Sequence, residues 1–317
     1  MRVRATLLSL CAVAALAAPS GLQAQGQNPA IAGHTFVPNS LLEGPFIATH
    51  FRSLVGAASA FGYTILSLPT HGDSAINLDG QMTWVLVEFA YRQKVASWLS
   101  LEGSASGGAR VGTNTAAALS DGVSVITSVE LGGLARLFET ERVTASANLD
   151  ARYSGATLLN VIGFVEEIID SVESGGPLDS IGLSSKHGAL QARGGFRLAY
   201  APARLVGLTF LGELGVGDDY SEVEETAIDL TLGGTVDINL RSIGKAPLGF
   251  LVGYRFSTFT DKSETSDGQS HMGTVGVSYM GSEDFSVGLE FQWQIAPLAD
   301  GESLNMTGFG IRSRYYF

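Results

Sequence analysis

Cysteine is almost missing from this chain: Cys11 is the only one in 317 residues. That excludes a disulfide framework and a metal centre built on thiolates. Long apolar runs are missing as well. Past residue 18 no segment approaches the roughly 18 consecutive apolar residues that mark a membrane-spanning helix. Positive charge is short, with 19 Lys and Arg against 31 Asp and Glu and a formal net charge of -12. An acidic chain has little to neutralise phosphates, which excludes nucleic acid as a partner. Proline is sparse at 9, and no phosphate loop, nucleophile elbow or metal-ligand cluster occurs. No cofactor and no metal are expected.

What is present begins with a leader. Arg2 and Arg4 form a basic start, Ala5 to Ala18 is apolar and uncharged, and Pro19-Ser20-Gly21 breaks the run before Leu22-Gln23-Ala24. This order is that of a Sec-type secretory signal peptide over residues 1–24, and the apolar run is short of the roughly 20 residues of a spanning helix. Cys11 follows Leu8-Ser9-Leu10, a loose lipobox, but Leu10 is too large for the position before a modified cysteine. Residues 25–45 read as an irregular segment, with Asn28-Pro29 and Val37-Pro38-Asn39, that lies in the periplasm or enters the fold as a small plug. Residues 46–317 form the remaining domain.

Mean hydropathy is high at +0.21, and glycine is abundant at 40. Without a helical span, apolar residues must be dispersed, as on strands with one oily face. Phe285, Val287, Leu289, Phe291, Trp293 and Ile295 alternate with Ser286, Gly288, Glu290, Gln292 and Gln294. Successive strand side chains point to opposite faces, so this segment has one apolar and one polar side. The pattern recurs over 143–154, 189–200 and 228–240.

Twelve strands are expected, near 46–56, 82–93, 98–112, 123–138, 143–156, 187–201, 205–217, 226–241, 247–260, 271–281, 285–296 and 304–317. The first alternates poorly, and ten or fourteen strands also fit. Short connections such as 139–142 and 281–284 alternate with long ones such as 57–81 and 160–186. Short periplasmic turns and longer outer loops give that rhythm. The fold class is therefore all-β: a closed antiparallel transmembrane β-barrel of about 12 strands, with one short helix in a long outer loop. Polar strand faces rich in Gly, Ser, Thr and Arg, with almost no Lys, argue against a soluble sandwich. Tyr91, Trp98, Tyr200, Phe250, Tyr279, Phe285, Tyr315 and Phe317 gather near the short-turn ends, where a headgroup boundary suits a half-wet ring.

The chain closes on Phe309-Gly310-Ile311-Arg312-Ser313-Arg314-Tyr315-Tyr316-Phe317. A terminal Phe, an aromatic two residues before it, and Ile311 and Phe309 on the same face resemble the last strand of bacterial outer-membrane β-barrel proteins. Ser313 departs from the usual apolar residue. The resemblance covers only this terminal strand. It implies that Phe309, Ile311, Tyr315 and Phe317 are read by the barrel-assembly machinery during insertion. It also implies a place in the cell outer membrane, among its lipid and lipopolysaccharide.

On that fold the polar faces line a lumen. They carry the acids Glu88, Glu102, Glu130, Asp150, Glu213, Asp229, Asp237 and Glu290. Their bases are Arg92, Arg110, Arg136, Arg152, Arg193, Arg197, Arg241, Arg255, Arg312 and Arg314. Such near balance argues against strong ion selectivity. A narrow pore or facilitator for an unidentified small solute is the expected function. A closed structural or surface-interaction barrel is the alternative, because paired charges also fill a lumen. An outer-membrane hydrolase is a second alternative, with His187 and His271 at outer strand ends, although none of the five histidines has Ser two residues later. No enzymatic activity is expected. Leu158, Ile162, Val165, Ile169 and Val172 recur at helical spacing in the longest internal loop. They form a candidate gate, or a helix packed on the rim. Asp218, Asp219, Glu222, Glu224 and Glu225 read as a solvated acidic loop.

Overall fold

Alternation over a dozen segments, each long enough to cross a membrane, resolves into one sheet closed on itself. The computed structural model describes residues 28–69, 75–112, 123–159, 184–218, 226–259, 268–297 and 303–317. Two short strands, β1 (Ala30–Ile31) and β2 (His34–Thr35), pair with each other. The wall is built from β3 (His50–Pro69), β4 (Ala75–Ala96), β5 (Leu99–Gly112), β6 (Val123–Glu139), β7 (Val143–Leu159) and β8 (Ser184–Ala203). It continues through β9 (Val206–Asp218), β10 (Thr226–Asn239), β11 (Leu248–Phe259), β12 (Gln269–Tyr279), β13 (Phe285–Pro297) and β14 (Ser303–Tyr316). Each wall strand runs antiparallel to the next in sequence, and β14 pairs with β3 to close a twelve-stranded barrel. Closure leaves no sheet edge, which lipid demands because unpaired backbone groups there cost several kcal/mol each.

Register fixes which side chains point in. Leu289 pairs with Val277 and Ile311 on one face, while Glu290 pairs with Gly276 and Gly310 on the other. Leu149, Leu214, Val252, Leu289 and Phe309 stand exposed on the outer wall. Glu290, Arg312 and Asp237 are closed off inside. The aromatic residues expected at the short-turn ends face outward there, with Tyr315 edge-on to Phe317 and Phe317 near Tyr91. No helix among the described residues is long and apolar enough to cross a membrane, which says nothing against crossing by strands.

The first hairpin departs from expectation. Residues 57–81, expected as a loop, are strand through most of their length, because β3 reaches Pro69 and β4 starts at Ala75. Two irregularities in pairing, near Phe61 and Thr64, interrupt the ladder. The physical reason is contrast. Ser53, Val55, Ala57 and Ser59 alternate with Leu54, Gly56, Ala58 and Ala60, so neither face of β3 is clearly oily or wet. Where a strand rises beyond the apolar belt both faces meet water, and the period-two signal disappears. At the candidate helix, Leu158 belongs to β7, while Ile162, Val165, Ile169 and Val172 lie outside the described residues. The leader expected over residues 1–24 lies outside them as well.

Candidate functional site

The lower lumen, at the end of the short turns, is occupied by residues 28–49. Asn28 N–H donates to Glu283 O in the β12–β13 turn at 2.7 Å. From there the chain turns inward. His34 is fully buried against Asp237 of β10, at 2.8 Å from Nε2 to Oδ1. Val37 N–H donates to the same oxygen at 3.1 Å, and Asn239 Nδ2 donates to Thr35 O at 2.6 Å. Ser40 N–H donates to Glu290 of β13 at 3.1 Å, and Gln292 Nε2 donates to Ser40 Oγ at 2.6 Å. On the far side Ser146 of β7 donates to Pro45 O at 2.6 Å. Lys94 N–H of β4 donates to Thr49 Oγ1 at 3.1 Å. Contacts thus run round most of the circumference, and they satisfy the polar backbone of a segment whose own ladder is limited to the short β1–β2 pair.

Apolar packing follows the same path. Ile31 and Phe36 pack with Ala199, Ala201 and Phe46; Val37 packs with Leu251 and Met280; Leu41 and Leu42 pack with Leu211 and Met272. Inward-facing glycine makes the room. A Cβ at Gly253 would lie 2.8 Å from Leu41 Cδ2, and one at Gly249 would collide with Val37. At Gly249 the obstacle is the segment itself, whereas at Gly253 the neighbouring wall residues Thr235 and Thr274 crowd the same point at 2.7 and 3.1 Å.

One carboxylate holds three strands. Glu43 is ion-paired to Arg52 of β3, to Arg314 of β14 at 2.7 Å and to Arg92 of β4 at 3.4 Å. Arg52 also meets Glu88 at 2.5 Å, and Arg92 Nε donates to Glu102 at 2.9 Å. Burial alone would push the Glu43 carboxyl up, yet Arg314, Arg52 and Arg92 outweigh burial and hold it well below the usual carboxylate range. Beside this cluster Arg312 and Glu290, both fully buried, pair at 2.7 Å, and Arg312 also donates to Ser278.

Higher in the barrel the charges are sparser. Arg197 meets Glu213 at 3.3 Å and Asp150 at 3.8 Å, and Arg193 meets Asp229 at 3.6 Å. Arg110 donates to Ser124 at 3.0 Å. Glu130 stands opposite Arg152 in the β6–β7 register, without an ion pair within 4.0 Å among the described residues. Among the described residues Arg255 reaches only Leu41 O and Met272 Sδ, each at 3.5 Å. Two arginines expected along the lumen wall sit elsewhere. Arg136 is at the lower rim, paired with Glu139. Arg241 lies in the 3-10 turn Leu240–Ile243 and donates to Met280 O, because β10 ends two residues before it.

Several functional residues escaped the sequence reading. Arg52 was hidden by the weak alternation of β3. Glu43 and His34 sit in a segment without periodicity. The inward faces of β4, β6 and β14 also carry Met82, Trp84, Leu86, Ile126, Leu304 and Met306, so the lumen is less uniformly polar than the charged residues imply. Leu86 and Ile126 point inward yet are 39% and 44% exposed, which marks open space above the segment. His271 faces outward, 2.6 Å from Tyr254 Oη, and lines no interior site. No group of three or more metal-ligating side chains occurs among the described residues.

No family model matches the chain, and no curated protein matches it in sequence. Solved structures do match in shape. An outer membrane channel, COG4313, from Pseudomonas putida F1 has a TM-score of 0.52 at 10% identity, over 89% of this chain and 100% of that one. The translocator domain of autotransporter NalP from Neisseria meningitidis gives 0.49 at 9% identity, over 86% of this chain and 90% of that one. The NanC porin gives 0.48 at 6% identity, over 84% and 100%. At these identities the likeness is one of fold alone, and it rests on the first of the three: a closed antiparallel β-barrel.

Proposed function

We propose that this protein is an outer-membrane channel for a small solute, closed at its periplasmic side by residues 28–49 acting as a plug. The observation that carries the reading is the contrast along the lumen. Below, side chains of the wall and the segment fill the interior and satisfy one another. Above, inward-facing Leu86 and Ile126 border open space. A barrel of twelve strands is wider than one of about eight, which side chains alone can fill, so something further must occupy its centre. The segment continues covalently into β3, and its other described contacts with the wall are ion pairs, hydrogen bonds and apolar packing. Such contacts can be exchanged without opening the wall. Phe309, Ile311, Tyr315 and Phe317, outward on the closing strand, support recognition by the assembly machinery. Ser313 departs from the pattern, and its hydroxyl pairs with Ser53 Oγ at 2.7 Å across the β14–β3 seam, which satisfies one of the two hydroxyl donors within the wall.

The test is a reversible tether. Ser40→Cys with Gln292→Cys places thiols where a hydrogen bond now joins β13 to the segment, and Cys11 in the leader is the only native competitor. Flux of small solutes into liposomes should fall several-fold on oxidation and return on reduction. Equal flux in both states would overturn the plug, and no flux or conductance in any state would favour a closed structural barrel.

A further inference from the structure

We propose that the open lumen above the plug holds a binding site for a small amphipathic organic anion, anchored by Arg255. This rests on the channel reading and narrows its solute to a class: a carboxylate on an apolar body.

The anchor is identified by elimination among inward arginines. Arg52, Arg92, Arg193, Arg197, Arg312 and Arg314 each have a carboxylate within ion-pair distance. Arg110 is held by a serine, and Arg152 stands opposite Glu130 without an ion pair within 4.0 Å among the described residues, which leaves it as a second anion-facing group near Arg255. Among the described residues Arg255 has neither a carboxylate in ion-pair distance nor a hydroxyl partner. Its carbonyl contact at 3.5 Å is at the long limit of hydrogen bonding, and its thioether contact is to a weak acceptor. The charged groups that act on it most are Arg193, Glu213 and Arg152. Glu213 is already committed to Arg197 at 3.3 Å and to Asn148 Nδ2 at 2.8 Å. A guanidinium half withdrawn from water, with two more arginines near it, is a site that an anion improves. Its planar fork suits a carboxylate, which it can bind through two parallel hydrogen bonds.

The apolar half of the ligand is read from the remaining surface. Arg255 lies over Leu41, Leu42, Leu211 and Met272, the apolar cluster where plug meets wall. In the ring of twelve strands β5 stands six places from β11, so it faces Arg255 across the lumen. There Leu86, Gly108 and Ile126 lie side by side in register, with no side chain between the two apolar ones. Trp84 and Met82 continue that surface along β4. The wall at Arg255 is cationic; the facing wall presents Leu86, Ile126 and Trp84 to the open space, with Arg110 beside Trp84 held to Ser124.

Benzoate, benzamide and sulfate are suitable probes, since they share a charge or a body but not both. Binding is read by calorimetry on the folded full-length protein in micelles and by Trp84 fluorescence in a Trp98→Phe, Trp293→Phe background. Benzoate should bind at least about tenfold more tightly than benzamide or sulfate, and Arg255→Gln should weaken it by about tenfold, with Arg255→Lys between. Heat-modifiable gel mobility reports whether each variant folds, and Arg152→Gln gives a second variant with a smaller expected loss. Equal binding of benzoate and benzamide, or unchanged binding in folded Arg255→Gln, would overturn the site. Sulfate as tight as benzoate would overturn its amphipathic character. Conductance without benzoate binding would sink this inference and leave the channel, whereas benzoate binding without conductance would do the reverse.

Discussion

The imidazole Nε2 of His34 lies 2.8 Å from Asp237 Oδ1, although 203 positions separate the two residues in the chain. Its Nδ1 lies 3.0 Å from Arg204 O. Both partners are acceptors, so both ring nitrogens are placed to donate. The same carboxylate oxygen receives Val37 N–H, so Asp237 holds the segment at two points.

Asp237→Asn should therefore release the segment's first half. A loss of about 2 kcal/mol would raise chymotrypsin cleavage after Phe36 in the folded protein on the order of thirtyfold, since cleavage follows the open population. Unchanged cleavage would show that apolar packing alone holds this stretch.

Glu43→Gln leaves Arg314 with no carboxylate in ion-pair distance among the described residues. Removing one partner of a buried pair costs about 3 to 5 kcal/mol. The expected outcome is a plug that leaves more often, seen as longer open times in single-channel records, with unchanged gel mobility of the barrel.

The same residue sets a pH dependence. The docked carboxyl titrates well below its ordinary value of 4.5. Its contribution to docking is present in full above that value and drains away as pH falls through the lower, docked one. Protease protection of residues 28–49 should be flat from neutral pH down to mildly acid pH and fall only in the acid range below 4.5. Glu43→Gln should abolish that fall.

Gly233→Val on β10 places methyl groups where Leu42 now lies. The wall itself tolerates valine, a good strand residue. Conductance should rise while the barrel stays folded, and a variant with unaltered conductance would separate the plug from gating.

Much of the wall was legible because a strand buried on one face must alternate, and Phe285 to Ile295 does so without a break. The short turns were legible for the same reason, as gaps between alternating runs. The plug was not. Residues 28–49 show no period because they form almost no regular structure, and their partners Asp237, Glu290 and Arg314 lie far away in sequence. Glu290 and Arg312 could be placed inside by parity, but their pairing depends on the β13–β14 register, which hydropathy does not encode. Leu86 and Ile126 were misleading for another reason: apolar residues on both faces of a strand blur its sidedness.

The sidedness of the wall is tested most directly by quenching single tryptophans in liposomes. Trp293 projects outward from β13 and Trp84 inward from β4. In variants retaining only one of them, brominated acyl chains should quench Trp293 strongly and leave Trp84 nearly unaffected. Strong acyl-chain quenching of Trp84, or none of Trp293, would contradict a barrel with lipid outside and a lumen within.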